Sequence, residues 1–421
     1  SEEALAAAEE FLTARGTGEE LSRASWGARF WRKPDEDVTT DGDDATTAAT
    51  PQGNRSRRYP PLATRAPTDA LDLTVVVVFH NMKREAERTL HSLSRMYQRD
   101  VDDLTYEVIA VENGSDPGQR LGRDFVTAFG EEFRYVDMGE EATPSPVPAI
   151  NTGIRKARGR NLALMIDGAH VLTPRVLHYG MLGLRSHGPA MVATQQWYVG
   201  PGQQPDPALA DYDQQYEDQL FQKIQWPVDG YRLFTIGHFI GQRDWFDGMA
   251  ESNCLFVARE VLEQVGGMDE GYEVAGGGYA NLELYERLGR HPGVSVVTIL
   301  GEGSFHQVHG GTTTNVSDID ERNDRLVTYR DEYLDRKGRS FNGHRRPIHY
   351  VGSMTEVSKR TRARRTRSEA YVDDDGSFEP SWHPRSATPL PEELRLDYTD
   401  RYWHSLEWQD ASWLGVPIGR P

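Results

Sequence analysis

Several short clusters in this sequence hold residue types that can do chemistry, and most of them follow apolar runs. They are His80-Asn81, Glu112-Asn113-Gly114-Ser115, Asp167-Gly168-Ala169-His170 and S-F-H-Q-V-H-G-G at 304–311. Carboxylates and imidazoles are ligands for divalent cations. Asp167, His170 and one of His306 or His309 are therefore expected around a single cation. The His306/His309 spacing is no zinc motif by itself, because such a site asks for cysteines or further histidines. Of the two, His309 is preferred, since Gly310 and Gly311 after it allow close approach of the backbone. A second group could move protons. It comprises Glu283 and Asn281 in G-G-G-Y-A-N-L-E-L-Y-E-R-L (276–288), with Asp247 and Glu251 in W-F-D-G-M-A-E-S-N (245–253). A carboxylate can act as a general base and an amide cannot. Glu283 also has Arg287 four residues on, the spacing of an ion pair on one helix face.

The elements that must position these residues read as alternating strands and helices. L-T-V-V-V-V-F (73–79) is continuous, β-branched and short, as a strand buried on both faces should be. An amphipathic helix is expected over 83–97, a strand over 106–111, a helix over 120–130 and a strand over 133–137. A helix over 149–158 and a strand over 161–167 follow. Such alternation predicts an α/β fold, a mainly parallel central sheet with helices on both faces. Ligands of open α/β sheets bind beyond the carboxyl ends of the strands, where three of the polar clusters fall. The same texture continues with strands at 191–199, 253–258 and 294–300, a helix within 206–224 over the site, and a short helix at 260–265. Three regions are expected. Residues 1–69 form an N-terminal helix (4–14) and a polar linker (34–56). Residues 70–315 form the α/β domain. Residues 316–421 form a charged linker and a Trp-rich C-terminal segment, with tryptophans at 403, 408 and 413.

Composition narrows the partners. Hydrophobic residues make up 37% and charged residues 27% of 421, which suits one good core with polar ends. A net charge of -18 argues against nucleic-acid binding through phosphates. A phosphorylated ligand would need a metal, helix N-termini or local basic groups. Cys254 is the only cysteine, which fits a reducing, cytoplasmic setting. No signal-peptide pattern opens the sequence, and its apolar runs are too short for a transmembrane segment.

The motifs, taken in order, resemble family-two glycosyltransferases. V-V-V-V-F-H-N, followed by a helix with Leu90 and Leu93, is similar to their opening strand and helix. V-I-A-V-E-N-G-S-D (108–116) is similar to their second strand. P-A-I-N-T-G-I-R-K-A-R-G-R (148–160) fits their N-x-G-x-x-x-A-x-G helix. L-A-L-M-I-D-G-A-H-V-L-T-P (162–174) stands where the family has its D-x-D metal motif. C-L-F-V-A-R-E-V-L-E-Q-V-G-G-M-D-E (254–270) resembles the stretch leading to the acceptor site. The resemblance spans residues 70–315. It implies a GT-A type nucleotide-diphospho-sugar transferase fold and transfer of a hexosyl or related glycosyl group from a nucleotide-diphosphate sugar to an acceptor. It further implies a divalent cation, Mn²⁺ or Mg²⁺, at Asp167, His170 and a late histidine. Donor contacts fall to His80, Asn81, Glu112, Asn113, Asn151, Arg155 and Asp167.

The sequence also departs from the family. Ala169 replaces the second acid of D-x-D, although an aspartate–histidine pair occurs in related retaining N-acetylgalactosaminyltransferases. Their G-G-E-N-x-E-L segment is similar to 276–284 here. Ala280 and Asn281 stand where inverting members carry acids, so the stereochemistry stays open with a tilt toward retention. These losses are also what a catalytically degenerate nucleotide-sugar-binding protein would show. A nucleotidyltransferase fits less well, because F-H-N-M-K-R (79–84) lacks the glycine-rich basic loop.

Overall fold

Four consecutive valines leave β1 (Leu71–Phe79) no polar face, and the chain buries it from both sides. The computed structural model describes residues 70–359 except 201–203, 205–211, 240–244, 247 and 312–318, together with the backbone of 371–372 and 378–379. The expected helix at 4–14, the linker at 34–56, Asp247 and the tryptophan-rich end lie outside the described residues.

The other strands are β2 (Tyr106–Glu112), β3 (Phe133–Asp137), β4 (Gly159–Met165), β5 (His170–Leu172), β6 (Ala190–Ala193), β7 (Gln196–Val199), β8 (Gly237–Phe239), β9 (Leu255–Ala258), β10 (Ser295–Leu300), β11 (Ser304–His306) and β12 (Ile348–Gly352). Eight of them form one sheet in the order β12-β10-β6-β9-β4-β1-β2-β3. Neighbours run parallel except at β9, which is antiparallel to both β4 and β6. A second sheet has the order β5-β11-β7-β8.

Side chains alternate across the large sheet. Leu73, Val75, Val77 and Phe79 pack with Leu90 and Leu93 of α1 (Lys83–Leu93) and with Val176, Leu177 and Met181 of a helix at Val176–Ser186. Val76 and Val78 face the other way, onto Ile150 and Ile154 of a helix at Val147–Lys156. Each such fully buried Val, Leu or Phe is worth about 1.5–3 kcal/mol relative to exposure. Helices therefore cover both faces of a mainly parallel sheet, as the alternation predicts.

Three expectations are corrected. The single strand at 191–199 is two strands, and buried Thr194 and Gln195 carry the chain from the large sheet to the small one. The helix from Lys83 stops at Leu93, where Ser94 is extended. The domain also does not end at 315. Helix Ile319–Lys337 packs Leu326, Tyr329 and Tyr333 into the main core, and β12 pairs in parallel with β10. This helix is so rich in charge that its narrow apolar stripe, spaced three and four residues apart, is masked by composition. Among the described residues no helix is long and apolar enough to cross a membrane.

Candidate active site

The loop from β4 to β5 is shaped by one close contact. A Cβ on Gly168 would sit 2.3 Å from the Phe79 ring, so only glycine lets the chain pass the end of β1. Thr89 Oγ1, on α1, donates to the Gly168 carbonyl at 2.6 Å. Asn253 fixes Asp167 from the other side: the Asp167 N–H donates to Asn253 Oδ1 at 3.1 Å, and Asn253 Nδ2 donates to the Asp167 carbonyl at 2.8 Å. The Ala169 N–H donates to Asp167 Oδ1 at 2.8 Å. That leaves Oδ2 to face the histidines. Ala169 itself is fully buried, so the position of the family's second acid points inward here.

His170 begins β5 and His306 ends β11, and they are direct partners in the antiparallel ladder. Opposed residues share a face, so the two imidazoles meet with ring centroids 4.9 Å apart. His306 Nε2 lies 3.3 Å and His309 Nε2 3.4 Å from Asp167 Oδ2, and the two nitrogens are 3.1 Å apart. Asp167, His170 and His306 offer ligand atoms all within 4.8 Å of one another, a group that could hold a metal ion. Separations near 3 Å suit ligands sharing one cation through bonds of about 2.0–2.3 Å. The outer nitrogens are tied as metal-binding histidines require: His170 Nδ1 to Ser304 Oγ at 2.8 Å and His306 Nδ1 to Gln204 Oε1 at 2.7 Å.

Electrostatics agree with that use. Burial alone would raise the Asp167 carboxyl, but His309 and then His306 hold it well below the usual carboxylate range. Burial, with His306 next, pushes His170 down to about 3, so its ring is neutral and able to donate a lone pair. Burial also lowers His306, although Asp167 opposes it. At His309 the Asp167 charge overcomes burial and raises the ring.

The other expected donor residues are engaged with one another. His80 is exposed, with Nδ1 2.9 Å from the Asn113 carbonyl oxygen. Asn81, at φ 53°, clasps Asp116 and donates from its N–H to Ser115 Oγ at 2.7 Å. Glu112 is fully buried, and both its oxygens accept from its own loop, Oε1 from Ser115 and Oε2 from the Leu121 N–H at 3.0 Å. These bonds shape the loop that follows β2. Asn113 ties that loop to Thr143. Asn151 donates to the Met268 carbonyl and to Glu270, and Arg155 pairs with Glu270 at 3.4 Å, so both fasten the 268–270 segment.

The acid–base candidates separate clearly. Glu283 does not face the histidine cluster. It lies among Arg287 (2.8 Å), Lys337 (2.7 Å) and a cation-rich cavity of about 300 Å³ that also includes Glu286, Arg290, His291 and Arg339. Asn281 points elsewhere, donating to Glu251 Oε2 at 2.9 Å. Burial raises the Glu251 carboxyl; Asn281 opposes this, and the charge of Asp167 adds to it. Asn253, Gln204, Ser304 and Glu217 escaped the sequence reading. Only Ser304 left a signal, since it lies two residues before His306 in a strand and so shares its face.

The mainly parallel α/β sheet, with an aspartate and histidines beyond its strands, is the arrangement expected of a GT-A type fold. Residues 74–247 match the family described as Glycosyl transferase family 2. No curated protein matches the chain in sequence. Among solved structures it is similar to S. aureus TarS (11% identity, 63% of this chain and 44% of that one, TM-score 0.39). It is also similar to GalNAc-T7 solved with UDP, GalNAc and Mn²⁺ (14%, 71% and 55%, 0.38). A third is the mannosyltransferase PcManGT from Pyrobaculum calidifontis, in complex with GDP-Man and Mn²⁺ (14%, 86% and 92%, 0.36). The chain thus spans less than half the length of TarS.

Proposed function

We propose that this protein transfers a glycosyl group from a nucleotide-diphosphate sugar to an acceptor hydroxyl, with a divalent cation held by Asp167, His170, His306 and His309. The observation that carries the reading is the convergence of one carboxylate and three imidazoles inside and beside a family-two glycosyltransferase domain. A cation bound there would offset the charge that develops on the departing diphosphate. Three nitrogen ligands favour Mn²⁺ over Mg²⁺, which prefers oxygen. Asp167 supplies the one negative ligand, and the ordered loops at 80–81, 112–116 and 268–270 frame the donor side.

Glu251 is the proton acceptor in this reading. Its carboxyl is raised, which brings it nearer the working range of a general base. The acceptor oxygen bonds to the anomeric carbon, its proton passes to Glu251, and the bond from that carbon to the diphosphate oxygen breaks. A protein base serving the acceptor fits inversion, against the tilt toward retention from the sequence. The test is a thermal-shift screen of nucleotide sugars. At least one should raise the midpoint with Mn²⁺ and do so far less with chelator. A panel in which none shifts it, with Mn²⁺ present, would contradict a donor site.

A further inference from the structure

His306 ends a strand, but His309 lies in a stretch without regular structure. No ladder fixes the distance between the two rings, so it must be set by whatever holds residues 307 and 308. Helix α1 and the helix Gln214–Lys223 do so. The Val308 N–H donates to Glu217 Oε2 at 2.6 Å, while its carbonyl accepts from Arg84 at 3.3 Å and from Gln214 at 3.4 Å. The Gln307 N–H donates to the Ala169 carbonyl at 2.7 Å. Its amide donates to the Glu85 carbonyl at 3.1 Å and accepts from Arg88 at 3.2 Å. Both peptide units between the histidines are therefore clamped from outside the strand.

The structure assigns to Glu217 the role of positioning residue: it sets the spacing of His306 and His309, and so how tightly a divalent cation is held. This rests on the reading of those histidines as cation ligands. The Glu217 side chain is fully buried and is balanced by Arg84 at 3.1 Å and Arg88 at 3.6 Å. Arg88 in turn lies 4.2 Å above the Phe221 ring, one helical turn further along the same helix as Glu217. Burying a carboxylate between guanidiniums costs heavily in desolvation, and an apolar pair could replace it at no loss of stability. What an apolar residue could not do is accept the hydrogen bond from the Val308 N–H. Supporting groups of this kind, one shell out from the ligands, typically change metal affinity tenfold to a hundredfold.

The experiment measures Mn²⁺ affinity of the full chain from the electron paramagnetic resonance of the free ion, alongside circular dichroism and the thermal midpoint. Glu217→Ala should bind Mn²⁺ about tenfold to a hundredfold more weakly while folded. Glu217→Gln, whose amide oxygen can still reach the Val308 N–H, should fall between the two. A folded Glu217→Ala with wild-type affinity overturns the assignment, even if its midpoint is lower. If that variant does not fold, Glu217→Gln and Gln307→Ala decide, and wild-type affinity in both overturns it. A wild-type chain that binds no Mn²⁺ removes the cation site itself, an outcome distinct from failure of the clamp.

Discussion

Glu251 and Glu283 show how two carboxylates of similar sequence promise receive different roles. Glu283 was prominent in the sequence because it sits in a family-like motif, yet Arg287 and Lys337 neutralise it away from the histidines. Glu283→Gln should therefore cost about 2 kcal/mol of stability, seen in urea unfolding, with little change in transfer rate per folded molecule. Glu251 has a raised carboxyl and accepts from the Asn281 amide. Glu251→Gln should lower transfer by on the order of 10²–10⁴ while donor affinity stays near wild type. The reverse pattern, an inactive Glu283→Gln and an active Glu251→Gln, would exchange the two roles. The Asn281 position was legible as a departure from the family pattern. Its hydrogen bond to Glu251 was not, because it joins a helix to a distant loop and depends on how they pack.

At the level of elements, the apolar strands were the clearest part of the sequence, since continuous β-branched runs admit few other folds. The joins were not clear. At 191–199 the crossing falls on Thr194 and Gln195, but these are as buried as the strands on either side, so the run reads as one strand. The pairing of His170 with His306 depends on a long-range antiparallel register that no local spacing reveals. Gly168 is where the loop before β5 meets β1. Gly168→Ala would press a methyl into Phe79 and should lower the thermal midpoint and Mn²⁺ affinity together, by about 1–3 kcal/mol in stability. An unchanged midpoint and affinity would show that the loop has room to spare. Helix Ile319–Lys337 and β12 belong to the same core as the large sheet. A chain cut after residue 315 should thus lose cooperative unfolding in a thermal scan. A cut chain that melts as sharply as the whole would restore the shorter domain expected from composition.

Across the whole molecule, the net charge of -18 makes the histidine cluster more telling. A chain that repels anions overall needs a local positive centre to hold a diphosphate, and a cation among Asp167, His170, His306 and His309 would supply one. Mn²⁺ at a hundred times its dissociation constant should stabilise the fold by about 2.7 kcal/mol, a gain that Asp167→Ala should abolish. The most direct measurement of the central claim is release of free nucleotide from the nucleotide sugar that stabilises the protein most, with Mn²⁺ and with chelator, for wild type and Asp167→Ala. Metal-assisted glycosyl transfer requires release by wild type with Mn²⁺, near-background release with chelator, and near-background release by Asp167→Ala in either condition. Equal release with Mn²⁺ and with chelator, or an Asp167→Ala variant as fast as wild type, would contradict it.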